Sequence, residues 1–331
     1  MTIIKNGKVF KIQSTKSLQD SPHRPKMQKL DLQKFEGRVL IANGSGSSPD
    51  HIPGAKELTE EYRQCLADQK DNKSLHQMPG IFDFMCEVLT LDYDNFVPKL
   101  WQLKLASEDP QANEFKKVLQ YALTDFHLTT HSPDLPNNHE RTAFVELVIP
   151  AIKSLAKITN LTSMNWCEHD LNANKMIIDA LGKSPGTTGM EHLIIESSSG
   201  GLEESVPHTL DDSIKLIECS TMALSQEASA RKDCSWNLFK NVKVLCIQVI
   251  CSQITLSVTQ FLDRSKWKHL QLRSAQLPSK WQHKILIVKF AELLATLYLT
   301  LNDMNEHSMK LDGNQAGVIK ASGQTVREVL G

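Results

Sequence analysis

The chain has 331 residues, of which 40% are hydrophobic and 23% are charged, and its formal net charge is −1 at pH 7. These values are typical of a soluble globular protein, and the length suits one large or two ordinary domains. No apolar run in the sequence approaches the roughly 20 residues of a membrane-spanning helix. The apolar stretch near the N-terminus is too short for a secretory signal. We therefore expect an intracellular protein, nuclear or cytoplasmic, with no membrane partner.

The seven cysteines are odd in number and scattered in spacing, and no two of them form a C-x-x-C motif. This pattern excludes a zinc knuckle and a thioredoxin-like redox site. We expect buried free thiols, as in a protein from a reducing compartment.

Residues 1–75 are polar, and residues 1–38 hold nine Lys or Arg against three Asp or Glu. We expect a mostly flexible basic N-terminal region here, with little packed structure apart from a possible helix at 56–69. A basic arm of this kind either binds nucleic acid, acts as an import signal or is a solvated tail.

Residues 76–135 predict a helical satellite, because apolar residues recur at helical spacing over 81–105 and 111–130. Pro98 is expected to start a helix rather than to lie inside one. The Pro- and Asn-rich segment 131–138 marks a boundary. The satellite is expected to pack on the following core, and it is a candidate surface for a protein partner.

Residues 138–305 alternate helical and strand patterns, and residues 306–331 are assigned to a C-terminal tail. The predicted elements are a helix at 139–158 kinked at Pro150, strands at 162–168, 174–180 and 191–197, a helix from about Pro207, a helical turn at 235–241, a long bent strand or hairpin at 244–262, a strand at 267–273 and a closing helix at 282–304.

Two carboxylates follow apolar runs in this region. Asp179 follows Met176–Ile178, and Glu196 follows Leu193–Ile195, so each is predicted to lie at the end of a buried strand. An unpaired carboxylate in a low-dielectric setting is costly, and a shared divalent cation is one arrangement that stabilises it. The alternative is a structural role, in which Glu196 caps the next helix and Asp179 shapes a turn.

This order of elements, with acids at the ends of the second and third strands, resembles the PD-(D/E)XK nuclease superfamily. The resemblance implies an α/β fold with a restriction-endonuclease-like αβββαβ core, in which helices flank a mixed central sheet, plus an N-terminal helical extension. It also implies that Asp179 and Glu196 are the motif acids and metal ligands. Glu146, within ERTAFVE, resembles the additional helix glutamate of many members, which implies that it is a third metal ligand. Residues 138–300 are also similar to a group of fungal proteins that share ERTxFVE, an IESSSG-like strand end and an HTLDD helix, which implies no activity.

The sequence departs from the superfamily motif at the lysine two residues after the second acid, where this chain has Ser198. A serine hydroxyl is uncharged and does not stabilise a developing oxyanion comparably. Some members take this lysine from the next helix, and Lys215 is the candidate here. Ile178 occupies the place of the motif proline.

The resemblance implies Mg²⁺-dependent hydrolysis of DNA or RNA, because Mg²⁺ can activate water and neutralise a phosphodiester. The alternative is a catalytically inactive module of the same fold that binds nucleic acid or a protein. The SSSGG segment lacks the Walker lysine and the G-x-S-x-G elbow, which argues against nucleotide hydrolysis and serine hydrolysis.

The stretch 264–289 contains several cations, two interleaved tryptophans and no acid. Cations with aromatic residues suit a nucleic-acid groove, through phosphate pairing and base stacking. The alternative is an amphipathic edge strand and helix whose tryptophans pack in the core. The expected nucleic-acid contacts are Lys266, Lys268, Arg273, Lys280 and Lys284.

Overall fold

The computed structural model describes residues 2–5, 8–11, 35, 37–131, 142, 144–171, 176–198 and 206–331. Most of the basic N-terminal arm, the predicted boundary after His131 and the serine-glycine loop after Ser198 lie outside these described residues.

The strands form a small hairpin and one large mixed sheet. The hairpin pairs β1 (Thr2–Lys5) with β2 (Lys8–Lys11). In the described part of the chain, the large sheet has eight strands in the order β4-β3-β10-β9-β8-β7-β6-β5. Its strands are β3 (Val39–Asn43), β4 (Gly46–Ser47), β5 (Ser163–Asp170), β6 (Ile177–Lys183), β7 (Glu191–Ser198), β8 (Lys243–Ile250), β9 (Gln253–Asp263) and β10 (Lys266–Gln276).

Two neighbouring pairs in this sheet are parallel, β3 with β10 and β7 with β8, and the other pairs are antiparallel. Between β7 and β8 the chain crosses over through α7 (Val206–Ala230). The other helices are α1 (Ala55–Lys70), α2 (Lys73–Gln77), α3 (Ile81–Val88), α4 (Phe96–Gln102), α5 (Pro110–Thr129), α6 (Ile149–Thr159), α8 (Trp236–Phe239), α9 (Ile287–Gln315) and α10 (Val326–Leu330).

Helices cover both faces of the sheet, which confirms the predicted α/β class with a mixed sheet flanked by helices. Alternate residues of β7 pack into opposite cores: Leu193 and Ile195 join the core shared with α3–α6 and α9, whereas Ile194 packs with Leu216 and Leu224 of α7. A strand buried on both faces needs apolar side chains in succession rather than in alternation. This is why the run Leu193–Ile195 is continuous.

Most predicted elements of 138–305 are present near their expected positions, and the segment 244–262 is a hairpin. The helix predicted at 139–158 is a π-helical turn, Phe144–Val148, followed by α6 with Pro150 in its first turn. Pro150 has no backbone N–H to donate to the preceding turn, so regular α-helical bonding is interrupted before it.

The expectation of little packed structure before residue 76 is wrong for Val39–Asn43. Leu40 and Ala42 are fully buried, and β3 pairs in parallel with β10. A strand of five residues carries too little periodicity to be recognised from the pattern alone. The C-terminal part is also folded, since α9 extends to Gln315 and Val326 of α10 is buried.

The helical segment Trp281–Gln315 is long and apolar enough to cross a membrane by length and composition, but 67% of its most apolar window is buried inside the protein. Packing against β10 and the helices of that face accounts for this apolar character.

A buried ion pair joins the N-terminal helices to the sheet and to α9. Arg273 Nε of β10 donates to Glu292 Oε1 of α9 at 2.9 Å, and Glu292 is fully buried. The same carboxylate accepts hydrogen bonds from the backbone N–H groups of Ser74 and Leu75 in α2. Both carboxylate oxygens are therefore satisfied by the fold.

Replacing one partner of this pair should lower the free energy of unfolding much more than replacing both. Glu292→Leu leaves the Arg273 guanidinium buried without a carboxylate, so we expect a loss of about 3–5 kcal/mol in the free energy of unfolding, measured by urea denaturation. The double variant Arg273→Met with Glu292→Leu should recover part of it. Glu60→Gln removes the exposed Arg63–Glu60 pair and should cost less than about 1 kcal/mol. A comparable small loss in Glu292→Leu would contradict this account.

Candidate functional site

The antiparallel register of β6 and β7 brings Asp179 and Glu196 together. Ala180 pairs with Ile195 and Leu181 with Ile194, so the same register sets Asp179 opposite Glu196. Asp179 lies near the beginning of β6 rather than at its end, which corrects the sequence-based placement. Because the strands run in opposite directions, the beginning of β6 and the end of β7 meet at the same edge of the sheet.

Two short contacts define the geometry of the pair. The backbone N–H of Ser197 donates to Asp179 Oδ2 at 2.7 Å. Lys215 Nζ, on α7, lies 2.7 Å from Glu196 Oε1. Lys215 reaches the carboxylate because α7 begins at the end of β7 and packs back over β7 and β8. The structure thus brings together Asp179, Glu196 and the lysine that the sequence offered as a replacement for the motif lysine.

The carboxylate of Glu196 is held in an unfavourable environment. Its side chain is 4% exposed. Its pKa is raised to about 8, chiefly by burial and to a smaller extent by the nearby Asp179 and Asp212 carboxylates, while Lys215 opposes the rise. Burial and two nearby carboxylates therefore oppose ionisation of Glu196, and the Lys215 ammonium group favours it. Additional positive charge at this position would stabilise the ionised form of Glu196.

Several oxygen atoms around the pair lack well-formed hydrogen bonds to the described residues. The Lys215 contact is close, but its alignment leaves Glu196 Oε1 without a hydrogen bond of good geometry, and Ser198 Oγ and Thr209 Oγ1 are also buried without partners. Ser198 lies two residues after Glu196 on the same strand and so on the same face of the sheet. Ser198 therefore takes the position that the motif lysine would have, and its side chain is an uncharged hydroxyl rather than an ammonium group.

Gln248 is a site residue that the sequence analysis missed. It lies beside Glu196 in the parallel register of β7 and β8. Its amide nitrogen donates to the Thr209 carbonyl oxygen at 3.1 Å and to Ser213 Oγ at 2.8 Å. These bonds hold the first turns of α7 against the sheet, just before Lys215. The signal available in the sequence was a single amide within the otherwise apolar run Val244–Ile250.

Glu146 is not brought to this pair. It lies in the π-helical turn on the other face of the sheet and lines a small cavity with Asp125 of α5 and residues of α9. Its negative charge adds to burial in raising the pKa of Asp125, and no contact joins it to Asp179 or Glu196 among the described residues. The residue order ERTAFVE alone did not reveal that this segment packs with α5 and α9, on the face of the sheet opposite α7.

The donor set suits a hard divalent cation with few protein ligands. No group of three or more His, Cys, Asp or Glu side chains with metal-ligand geometry occurs in the part of the chain that the structure describes. Mg²⁺ keeps several waters and is commonly held by one or two carboxylates. Asp179 and Glu196 are two carboxylates on neighbouring strands, which is the number of protein ligands that this requirement calls for.

Most of the expected nucleic-acid contacts are engaged within the protein. Arg273 is buried on Glu292, so its assignment as a nucleic-acid contact is wrong. Lys268 pairs with Glu61 at 2.6 Å, and Lys284 donates to the Leu91 carbonyl oxygen. Their partners lie about 200 positions away in the sequence, where no local pattern could reveal them.

Lys280 is exposed and Lys266 is partly exposed. The strand β10 lies between β3 and β9 and is therefore not the edge strand of the alternative interpretation. Trp281 does pack, in an aromatic cluster with Tyr93 and Phe96. The stretch 264–289 is thus not one continuous cationic face.

No protein-family model matches the chain, and neither the curated proteins nor the solved structures with which it was compared include a significant match. Its function is therefore inferred from the geometry of the site.

The raised pKa of Glu196 predicts a pH-dependent stability. The unfolded chain releases this proton near the ordinary value of 4.5, and the folded protein releases it near 8. The contribution to stability is therefore complete below the unfolded value and is lost as the pH rises through this window. In EDTA, the free energy of unfolding of the parent should fall from pH 5 to pH 9 relative to Glu196→Gln, by an amount on the order of a few kcal/mol. Parallel stability curves for the two proteins would contradict this prediction.

Proposed function

We propose that this chain contains a restriction-endonuclease-like core that hydrolyses phosphodiester bonds of DNA or RNA with Mg²⁺ held by Asp179 and Glu196. The observation that carries the proposal is the contact of Lys215 Nζ with Glu196 Oε1 at 2.7 Å, beside Asp179 of the neighbouring strand. An ammonium group and two carboxylates at one sheet edge are the charged groups that this chemistry requires.

The order and direction of the elements support the same proposal. The helix α6 is followed by the antiparallel strands β5, β6 and β7, then by α7, and then by β8 parallel to β7. This order supports the proposal that the core is the αβββαβ arrangement implied by the resemblance in the sequence. The strands β9, β10, β3 and β4 extend the sheet on one side.

Each side chain of the site would have a separate role in hydrolysis. When bound, Mg²⁺ supplies a polarised phosphodiester and a more acidic water. Asp179 and Glu196 would hold the ion, and the backbone N–H of Ser197 fixes the Asp179 carboxylate through its 2.7 Å bond. Lys215 would stabilise the negative charge that develops on the phosphoryl oxygens, as preorganised cations do in water-poor sites.

A second candidate function is a catalytically inactive module of the same fold. The observation that favours it is burial: Glu196 is 3% exposed and Ser198 is 1% exposed. A buried site gives a polymer little access to the carboxylates. In this case the Glu196–Lys215 ion pair stabilises the packing of α7 on the sheet.

Cleavage assays separate the two candidates. We expect the parent to cleave plasmid, single-stranded DNA or RNA in Mg²⁺ or Mn²⁺. Asp179→Asn and Glu196→Gln should lose this activity, because each removes a charged oxygen ligand without changing the side-chain shape. Lys215→Met should lose roughly 10²-fold in rate, the effect of removing one preorganised stabilising group. Gel electrophoresis of the products measures each rate.

Asp211→Asn is the matched control, because Asp211 is exposed on the same helix as Lys215. This variant should cleave the substrates at the same rate as the parent. If no metal ion supports cleavage by the parent, or if all of these variants cleave equally, the catalytic proposal is wrong and the inactive module is favoured.

A further inference from the structure

A separate cavity of about 390 Å³ lies between the C-terminal end of α7, the β9–β10 turn and α10. Ligand pockets in proteins commonly begin at about 300 Å³, so this cavity has room for a small organic molecule. It is remote from the candidate metal site. Ser229, on its wall, follows Lys215 on α7 by 14 positions, which corresponds to about 21 Å along the helix.

The charged side chains that line this cavity are all cationic. They are Lys232, Arg264 and Arg327, and each is exposed. Arg327 pairs with Asp233 at 2.8 Å, whereas Lys232 and Arg264 form no ion pair with any described residue. The C-terminal end of α7 contributes only a partial negative charge. The charged side chains of the lining therefore favour an anion.

Aromatic rings supply the apolar part of the same cavity. Phe261 of β9 and Trp267 of β10 both line it, with their ring centroids 5.7 Å apart. The indole N–H of Trp267 is itself buried, so the indole presents its carbon surface. Such a surface stacks favourably on a planar heterocycle whatever its hydrogen-bonding pattern.

The wall formed by α10 is fixed by backbone bonds. The N–H groups of Val326 and Arg327 donate to the carbonyl oxygens of Cys234 and Lys232 at 2.9 Å. A capping box at Thr325 and Glu328 begins the helix. These bonds join the backbone segments that carry Lys232 and Arg327, which lowers the entropic cost of binding a ligand there.

We propose that this cavity binds a nucleoside phosphate, with the phosphate on Lys232 and Arg264 and the base against Trp267. The ligand is either a free mononucleotide or the 5′-phosphorylated end of a single strand, which share this chemistry. The site does not depend on the metal site at Asp179 and Glu196, and it needs no metal ion.

Calorimetric titration in EDTA tests the proposal, because metal-dependent hydrolysis cannot occur there. The probes are AMP, adenosine and inorganic phosphate. AMP should bind at least about tenfold more tightly than either of its parts, since only AMP engages the cations and the ring together. Arg264→Gln and Lys232→Gln should each weaken AMP binding about tenfold, the loss of one charge-assisted contact.

Lys240→Gln, an exposed lysine outside the cavity, and Glu196→Gln should bind AMP like the parent. Circular dichroism checks that each variant is folded. Absence of AMP binding, equal binding by Arg264→Gln, or equal affinity for AMP and inorganic phosphate would each overturn the proposal.

A 5′-phosphorylated tetranucleotide and its 5′-hydroxyl form distinguish the two sources of the ligand. Tighter binding of the phosphorylated strand than of AMP, lost in Arg264→Gln, identifies a strand end. Affinity for AMP alone, lost in the same variant, identifies a free nucleotide. Either result supports the site, and a failure of the metal-dependent cleavage proposal would leave both unchanged.

Discussion

An imbalance of charge between two neighbouring strands is the constraint on which the candidate site depends. Glu196 is buried, and the nearby Asp179 and Asp212 carboxylates raise its pKa while Lys215 lowers it. Burial of a carboxylate is costly unless its charge is compensated, and here the described residues compensate it only in part. The β6–β7 register sets Asp179 beside Glu196, and the α7 crossover carries Lys215 over the same strands.

Two other buried charged clusters in the described part of the chain bring opposite charges into direct contact. Glu292 meets Arg273 and also accepts two backbone N–H bonds. Arg231, almost fully buried, is shared by Glu227 and the partly exposed Asp312 and ties α7 to α9. Glu227 and Asp312 each accept a hydrogen bond from the Arg231 guanidinium group. Glu196 differs in lying near two further carboxylates, Asp179 and Asp212, which raise its pKa, and a divalent cation there would favour its ionised form.

The sequence allowed much of the core to be predicted because its signals are local. The apolar run before Glu196 identifies the buried strand β7, and the run before Asp179 identifies the start of β6, where Ile177 is 55% exposed. Pro207 marks the beginning of the helix that carries Lys215. The bounds of β6 were not predicted correctly, because an apolar run does not show whether a strand ends or begins there. The strand begins at Ile177, so Asp179 lies near its start. Glu146 was misplaced because the residue order ERTAFVE does not show on which face of the sheet its segment packs. These outcomes depend on strand bounds and on packing between distant segments, which periodicity does not encode.

Long-range pairing accounts for the remaining differences. Arg273 and Lys268 look like free cations in the sequence, but Glu292 and Glu61 neutralise them in the fold. The cations without such partners, Lys232 and Arg264, belong to segments on either side of the β8–β9 hairpin and meet only at the cavity. Which positive charges are available to a ligand is thus decided by tertiary structure.

The most direct test of the central claim is a calorimetric titration of the metal-free protein with Mn²⁺ and Mg²⁺, because it measures the charge imbalance without requiring catalysis. The account predicts one carboxylate-dependent site that is lost in Asp179→Asn and Glu196→Gln and retained in Asp211→Asn. Absence of binding by the parent, or equal binding by all four proteins, would contradict it.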